Sequence, residues 1–264
     1  MRLILLGTNG YHPTEDGQTA CYMLPEMGIV LDAGSGLYRF SQYLETDFLH
    51  IYLSHAHSDH YLGLFYIIGA VLKKIIAKSG VAVSDETIGT LFGEADAFMS
   101  RVYLHGSAST LADIQKHDIF DSPEVHWCPL EPEEPLPGGG TLTHFPLEHS
   151  AECHGFRLDW PGHSLAYVTD TIARPEAAYV ERIADVDVLL HDCYLPNSLA
   201  QAAQYTAHSY TAAVAQVAAK AQVQRLVLIH HNTLGLRVAG AELESAQAIF
   251  PNTEVGLDGM VIEF

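Results

Sequence analysis

Residues 54–60 read "SHAHSDH" and follow directly on the apolar run "HIYL" (50–53). A short apolar run of that kind reads as a strand, so the polar cluster falls at a strand's carboxyl end. In extended chain, side chains two residues apart share a face, and His55 and His57 can therefore close on one ion. Asp59 and His60 come where the chain turns toward a helix, placed to face a neighbouring ion. Neutral imidazole with carboxylate suits a divalent cation, zinc first, with manganese and iron as alternatives. A polar loop with accidental histidines is the competing reading, but four ligand groups at this spacing seldom coincide.

The bulk numbers agree with a metal search. The 264 residues include 16 histidines, and 32 acidic against 13 basic residues give a formal charge of −19. Phosphate backbones are gripped mainly by Lys and Arg, so extended nucleic-acid binding is disfavoured. Cys21, Cys128, Cys153 and Cys193 are scattered without a C-x-x-C pair. With no signal-peptide pattern, they read as reduced thiols in a cytoplasmic protein. The apolar stretch "YLGLFYIIGAVL" (61–72) is too short to span a bilayer, so no membrane association is expected.

Working outward, "RLILLG" (2–7) begins the chain as a strand, and a polar loop leads to a hairpin over 19–34 turning near Pro25–Gly28. A helix is expected over 37–44 and a mainly helical region over 61–100. "RVYLH" (101–105) reads as a strand and "TLADIQKH" (110–117) as a helix. The Pro/Gly-punctuated run 129–140 reads as a surface loop. Four strand signals follow, at 141–147, 164–169, 187–191 and 225–229, each with a polar tip. The Ala-rich stretch from about Thr206 to Gln222 is the clearest helix. Two successive β-rich halves imply packed sheets with helices outside.

His55-x-His57-x-Asp59-His60 resembles the signature of the metallo-β-lactamase-fold hydrolases, and the resemblance extends over most of the chain. It implies one domain with a four-layer αβ/βα sandwich fold (class α/β) and two metal ions. By that resemblance His55, His57 and His149 hold the first ion, Asp59, His60 and His230 the second, and Asp170 bridges them. His149 competes with His144 and His154, and His230 with its neighbour His231. Asp32 in "VLDAGSG" matches a position that orients a ligand imidazole, or is an ordinary turn residue before Gly34.

The stretch "YTAHSYTAAVAQVAAKAQVQRLVLIHH" (205–231) resembles the ribonuclease Z branch. There a histidine followed by Ser or Thr opens a helix, here His208-Ser209. A helix start offers unpaired N–H groups to a phosphate oxygen, and His208 would serve the leaving group, with Asp192 as its candidate partner. The tRNA-binding arm of ribonuclease Z has no room here, because only residues 150–169 separate His149 from Asp170. The chain is more similar to compact members such as phosphoribosyl cyclic phosphodiesterases, although their extra zinc-binding cysteines are not evident.

The expectation is a phosphodiesterase for a small phosphodiester, cyclic phosphate or short nucleotide. It would use a hydroxide activated by a dinuclear centre, with Asp59 holding the water proton. A thioesterase or lactonase of the same fold is the alternative, and a non-catalytic metal-binding protein a more distant one. The 65–100 segment reads as a helical insertion, either a packed pair or a lid or homodimer contact.

Overall fold

The computed structural model describes residues 1–117 and 124–264. Strands β1 (Arg2–Gly7), β2 (Cys21–Leu24), β3 (Ile29–Leu31), β4 (Leu49–Tyr52), β5 (Val102–Gly106) and β6 (His126–Pro129) lie side by side in chain order. A second sheet holds β7 (Glu133–Leu136), β8 (Gly140–Leu147), β9 (Cys153–Trp160), β10 (His163–Val168), β11 (Val188–Asp192), β12 (Arg225–Ile229) and β13 (Thr253–Val255), also in chain order. The last strand, β14 (Val261–Glu263), returns to the first sheet and pairs antiparallel with β1. In each half, antiparallel strands come first and parallel strands follow.

Period-two alternation divides the apolar residues of every central strand between two faces. On β1, Leu3 and Leu5 face the second sheet, while Ile4 and Leu6 face the helices. On β12, Val227 and Ile229 turn inward, and Leu226 and Leu228 turn out. One apolar layer thus lies between the sheets and one outside each. Helices α1 (Ser58–Tyr61), α2 (Ile67–Ser79), α3 (Ile88–Met99) and α4 (Ala108–Gln115) follow strands of the first sheet. Helices α5 (Tyr179–Arg182), α6 (Ala200–Thr206), α7 (Thr211–Ala221) and α8 (Ala241–Ile249) belong to the second half. On α7, Val214, Val217, Ala218 and Ala221 form the buried stripe at helical spacing. The expected sandwich with outer helices is what the chain builds.

Several local expectations change. The run read as a surface loop over 129–140 contains β7, an edge strand paired only with β8. Pro135 is tolerated there because an edge strand leaves one side unpaired. Strands β6 and β13 and helix α8 carry weak sequence signals, and β9, whose Phe156, Leu158 and Trp160 alternate with Arg157 and Asp159, is a further strand outside the expectations. The helical run beside the cluster is also longer than 61–72 suggested. Ser58–Ser79, 22 residues, is long and apolar enough by length and composition to cross a membrane. It is broken into α1, a 3₁₀ segment over 62–66 and α2, and it buries His60, Leu64, Ile67 and Val71 in the protein. Within 65–100, α2 and α3 bury Ala70, Ala95 and Met99, while Phe65, Tyr66 and Phe92 are exposed.

Between the sheets, the His105 ring stacks on Tyr52 with centroids 4.4 Å apart, and its Nε2 lies 3.0 Å from His50 Nδ1. Burial, and then the neighbouring His50, depress its pKa to about 3. The unfolded chain therefore takes up this proton near pH 6.5 while the folded chain refuses it. His105 contributes stability above about pH 6.5 that is lost as pH falls toward 3. Acidification from pH 7 to 4.5 is expected to cost about 2.5 kcal/mol through this group. Denaturant titrations of His105→Phe should show a visibly smaller acid loss, and equal losses in both proteins would refute the assignment.

Candidate metal centre

The carboxyl ends of the parallel strands open along one edge, the usual place for a site in sheets of this kind. Loops after β4, β8, β10 and β12 deliver His55 to His60, His149, Asp170 and His230 there. β8 is antiparallel to β9, and β9 to β10, so the end of β8 emerges on the same edge as β10. Asp32 follows β3 on the first sheet.

Two cages result, sharing one carboxylate. Asp170 Oδ2 lies 3.6 Å from His55 Nε2 and 3.5 Å from His149 Nε2, which is itself 3.1 Å from His57 Nδ1. Asp170 Oδ1 lies 3.3 Å from His60 Nε2 and 3.2 Å from His230 Nε2. Asp59 Oδ2 completes that second group, 3.4 and 3.3 Å from the same two nitrogens. Ligand atoms around a tetrahedral ion with bonds of about 2.0–2.1 Å are spaced by about 3.3 Å, so both cages have the size of one ion.

The chemistry of the donors fits as well. His55 Nε2 is buried without a hydrogen-bond partner, a costly condition unless something else satisfies it. Asp32, Asp170 and Asp192 are buried, and Asp59 nearly so. Among the described residues none of the four forms an ion pair with Lys or Arg; the basic partners in reach of each are histidines. Burial opposes charge on His60 and His230, yet Asp170 and the other carboxylates raise both, His230 to about 10. Burial works against the charged form of Asp59 too, and His60 and His230 hold it well below the ordinary range. Burial, then His60, depresses His55, and burial likewise lowers His57 and His149. The cluster demands positive charge, and buried carboxylates without cationic side chains are met by metal.

Outer contacts aim the imidazoles. Asp32 accepts from His60 Nδ1 at 2.6 Å, the Ser54 hydroxyl and N–H at 2.7 Å, and the Tyr167 hydroxyl at 2.5 Å. His149 Nδ1 donates to the Ala207 carbonyl at 3.1 Å, which leaves Nε2 bare toward the cage. Such partners fix tautomer and ring orientation. Asp32, Asp170 and His230 all sit at positive φ, 55°, 26° and 57°. These are conformations that residues with side chains adopt at a cost, and they cluster where geometry matters.

All seven ligand candidates come together, and the rivals of His149 and His230 make their contacts elsewhere. His144 and His154 pair with each other, ring centroids 5.0 Å apart, and His231 Nε2 meets the Gly256 carbonyl. His208 reaches the cleft as well, stacked on Tyr194 and His230 with centroids 4.5 and 5.1 Å away. Its Nδ1 lies 3.1 Å from Asp192 Oδ2, which also accepts from the Ser209 and Thr171 N–H groups.

The helix start expected beside His208 is not the anion site the sequence suggested. The helical stretch is broken at Ala207, φ 54°, and α7 begins only at Thr211. The Thr211 N–H bonds the Leu195 carbonyl and the Ala212 N–H bonds Asn197 Oδ1, so both donors are spent inside the protein. Tyr11, Gly10 and Tyr194, which also line or brace the site, went unnoticed in sequence. Only the turn-forming Asn9-Gly10 pair hinted at a fixed loop there.

Facing sheets with this His/Asp cluster along the strand ends define a metallo-β-lactamase fold. The profile described as "Beta-lactamase superfamily domain" matches residues 29–231, and the chain belongs to that superfamily. The metallo-β-lactamase fold protein YhfI from Bacillus subtilis is similar over 99% of this chain and 98% of its own, with TM-score 0.76 and 18% identity. A diphosphatase from the PhnP family is similar over 100% and 97%, with TM-score 0.69 and 17% identity. In sequence, ribonuclease Z of Methanosarcina acetivorans is 24% identical, aligned over 100% of this chain and 98% of its own.

Gly10 supplies a direct test of the cluster. A Cβ there would lie 2.3 Å from His230 Cε1, inside any tolerable contact. Gly10→Ala should displace His230 and lower the bound metal per chain while the far-UV spectrum stays native. Unchanged metal content would show that His230 is not a ligand.

Proposed function

We propose that the chain is a phosphodiesterase with a two-ion centre, acting on a small phosphodiester. Its broader class, a metal-dependent hydrolase of the superfamily, rests on the family match and the His/Asp cluster. The observation that carries the finer reading is the His208–Asp192 pair standing beside two cages that share Asp170.

His55, His57 and His149 would hold one ion, Asp59, His60 and His230 the other, with Asp170 touching both. Bound there, a divalent pair, zinc foremost, supplies Lewis acidity that lowers the pKa of water and neutralises phosphoryl oxygens. The residues around it do the rest. Asp59 Oδ2 is held by the Tyr11 N–H at 2.7 Å, which leaves the other oxygen to take a proton from water. Asp192, anchored by two backbone N–H groups, fixes His208 with Nδ1 engaged. Nε2 of that ring then delivers a proton to the departing oxygen, and Asp192 stabilises the charged ring, as an orienting acid does in other dyads.

That proton donor separates the reading from a thioesterase of the same fold. A thiol with pKa about 8.5 leaves without help, whereas an alkoxide leaving phosphorus needs an acid. The size of the cleft, about 350 Å³ and lined by His57, Asp59, His149, Tyr194 and His208 among others, suits a small substrate. A chain of charge −19 repels a polyanion such as tRNA.

Zinc-loaded protein should cleave bis(p-nitrophenyl) phosphate in preference to acyl thioesters and homoserine lactones, with two metal equivalents per chain. His208→Ala should lower kcat by about 10²–10⁴-fold at unchanged metal content. Preference for the thioester, or joint loss of metal and turnover in His208→Ala, would overturn the assignment.

A further inference from the structure

Tyr11 has no structural reason to be where it is. Its φ is 66°, within a three-residue turn closed by the His12 N–H on the Gly10 carbonyl at 2.8 Å. Turns of this kind are rare and strained, and an aromatic residue at positive φ is an outlier. Packing compensates little: the ring meets the exposed His12 ring, centroids 5.2 Å apart, and the residue is 67% exposed. Glycine would serve the backbone better, since the main chain does all the anchoring. The Tyr11 N–H holds Asp59, the Gly10 N–H bonds the His231 carbonyl, and the His231 N–H bonds the Thr8 carbonyl. The ring nevertheless lines the cleft, together with Tyr194.

The rest of that lining narrows the occupant. Ser58, Ser150 and Thr206 contribute hydroxyls, and among the lining residues there is no Lys or Arg. A terminal phosphate or diphosphate brings charges that fixed cations normally meet. A diester brings one charge, which the catalytic centre itself can face. What remains for the rim to hold is the substituent on the diester, and an exposed ring holds flat groups by stacking.

Building on the phosphodiesterase reading, we propose that Tyr11 is the substrate-binding platform of this site. Its ring takes a flat, uncharged substituent of a monoanionic phosphodiester, a nucleobase or an aryl group, and selects such diesters over aliphatic diesters and over diphosphates.

Three variants test this in the metal-loaded protein. Tyr11→Ala removes the ring and keeps the positive φ, Tyr11→Phe keeps the ring, and Tyr11→Gly removes both ring and strain. With thymidine 5′-(p-nitrophenyl) phosphate, Tyr11→Ala and Tyr11→Gly should raise KM by about tenfold or more, the range of one lost stacking contact. Tyr11→Phe should stay within about twofold of the parent, a change too small for a lost stack. With glycerophosphoglycerol, which has no flat group, Tyr11→Ala and Tyr11→Phe should share the same KM. Tyr11→Gly should also raise Tm by about 3 °C, by relieving the turn.

An unchanged KM for the thymidine diester in Tyr11→Ala overturns the platform while leaving the phosphodiesterase intact. So does an equal loss on both substrates, or a fall in Tm for Tyr11→Gly. Absence of metal-dependent diester turnover in the parent protein overturns the function itself, and the platform with it. Metal content, measured alongside, should not change in any variant.

Discussion

Four buried or nearly buried carboxylates gathered at one cleft, with no Lys or Arg partner among the described residues, are the constraint around which the molecule is arranged. In water each would be solvated cheaply; inside the protein each needs a positive neighbour. Histidine meets that need conditionally, by holding a proton or by lending its lone pair to a cation. The rise of His230 to about 10 shows how strongly the site pulls in positive charge. A divalent ion satisfies the same demand while leaving the imidazoles neutral, which is the form in which they coordinate. Electrostatic need and ligand geometry thus point to the same occupant.

Holding such a cluster together requires rigid supports that do not themselves react. The sheets provide them for His55, His149, Asp170 and His230, each within three residues of a strand end, while α1 carries Asp59 and His60. Close backbone approach provides the rest. A Cβ on Gly63 would lie 1.9 Å from the Gly34 carbonyl oxygen, and one on Gly34 would lie 2.2 Å from the Asp59 carbonyl oxygen. Only glycine lets the turn after β3 fit against the 3₁₀ segment that follows α1, and this places Asp32 where it can hold His60. The positive φ of Asp32, Asp170 and His230 is a local cost that the surrounding packing sustains. Stability is given up at the strand ends and recovered in the three apolar layers.

How much of this was legible in sequence follows from the range of the forces involved. "SHAHSDH" is local, so spacing alone placed its ligands on one short segment. His149, Asp170 and His230 were singled out through the family resemblance, each as a polar residue just past a strand. Which histidine of a pair turns inward is decided by tertiary contacts such as the Gly256 carbonyl that receives His231. Sequence favoured His149 and His230 by their place just past a strand, while the contacts that turn the rivals away are tertiary. β9, "CHGFRLDW", is different: Phe156, Leu158 and Trp160 alternate with Arg157 and Asp159 in the period-two pattern of a half-buried strand, so this strand was legible and was passed over. The break at Ala207 ran against propensity, because a good helix former was forced into a left-handed turn by the need to deliver its carbonyl to His149.

That break also decides how charge is handled on the substrate side of the cleft. A continuous helix beginning near His208 would have offered N–H groups to a phosphoryl oxygen. Instead, Leu195 and Asn197 consume the first donors of α7, and the chain before it runs past the cleft as a separate strap. What the strap presents is a single imidazole, braced by Asp192 behind and by the Tyr194 ring beside it. A helix dipole is a fixed half-charge, whereas an imidazole can give its proton away and take it back. A proton-carrying group therefore stands where a helix start would have offered only fixed N–H donors. The proposed phosphodiester chemistry rests on this dyad rather than on the two cages, which a hydrolase of either kind could use.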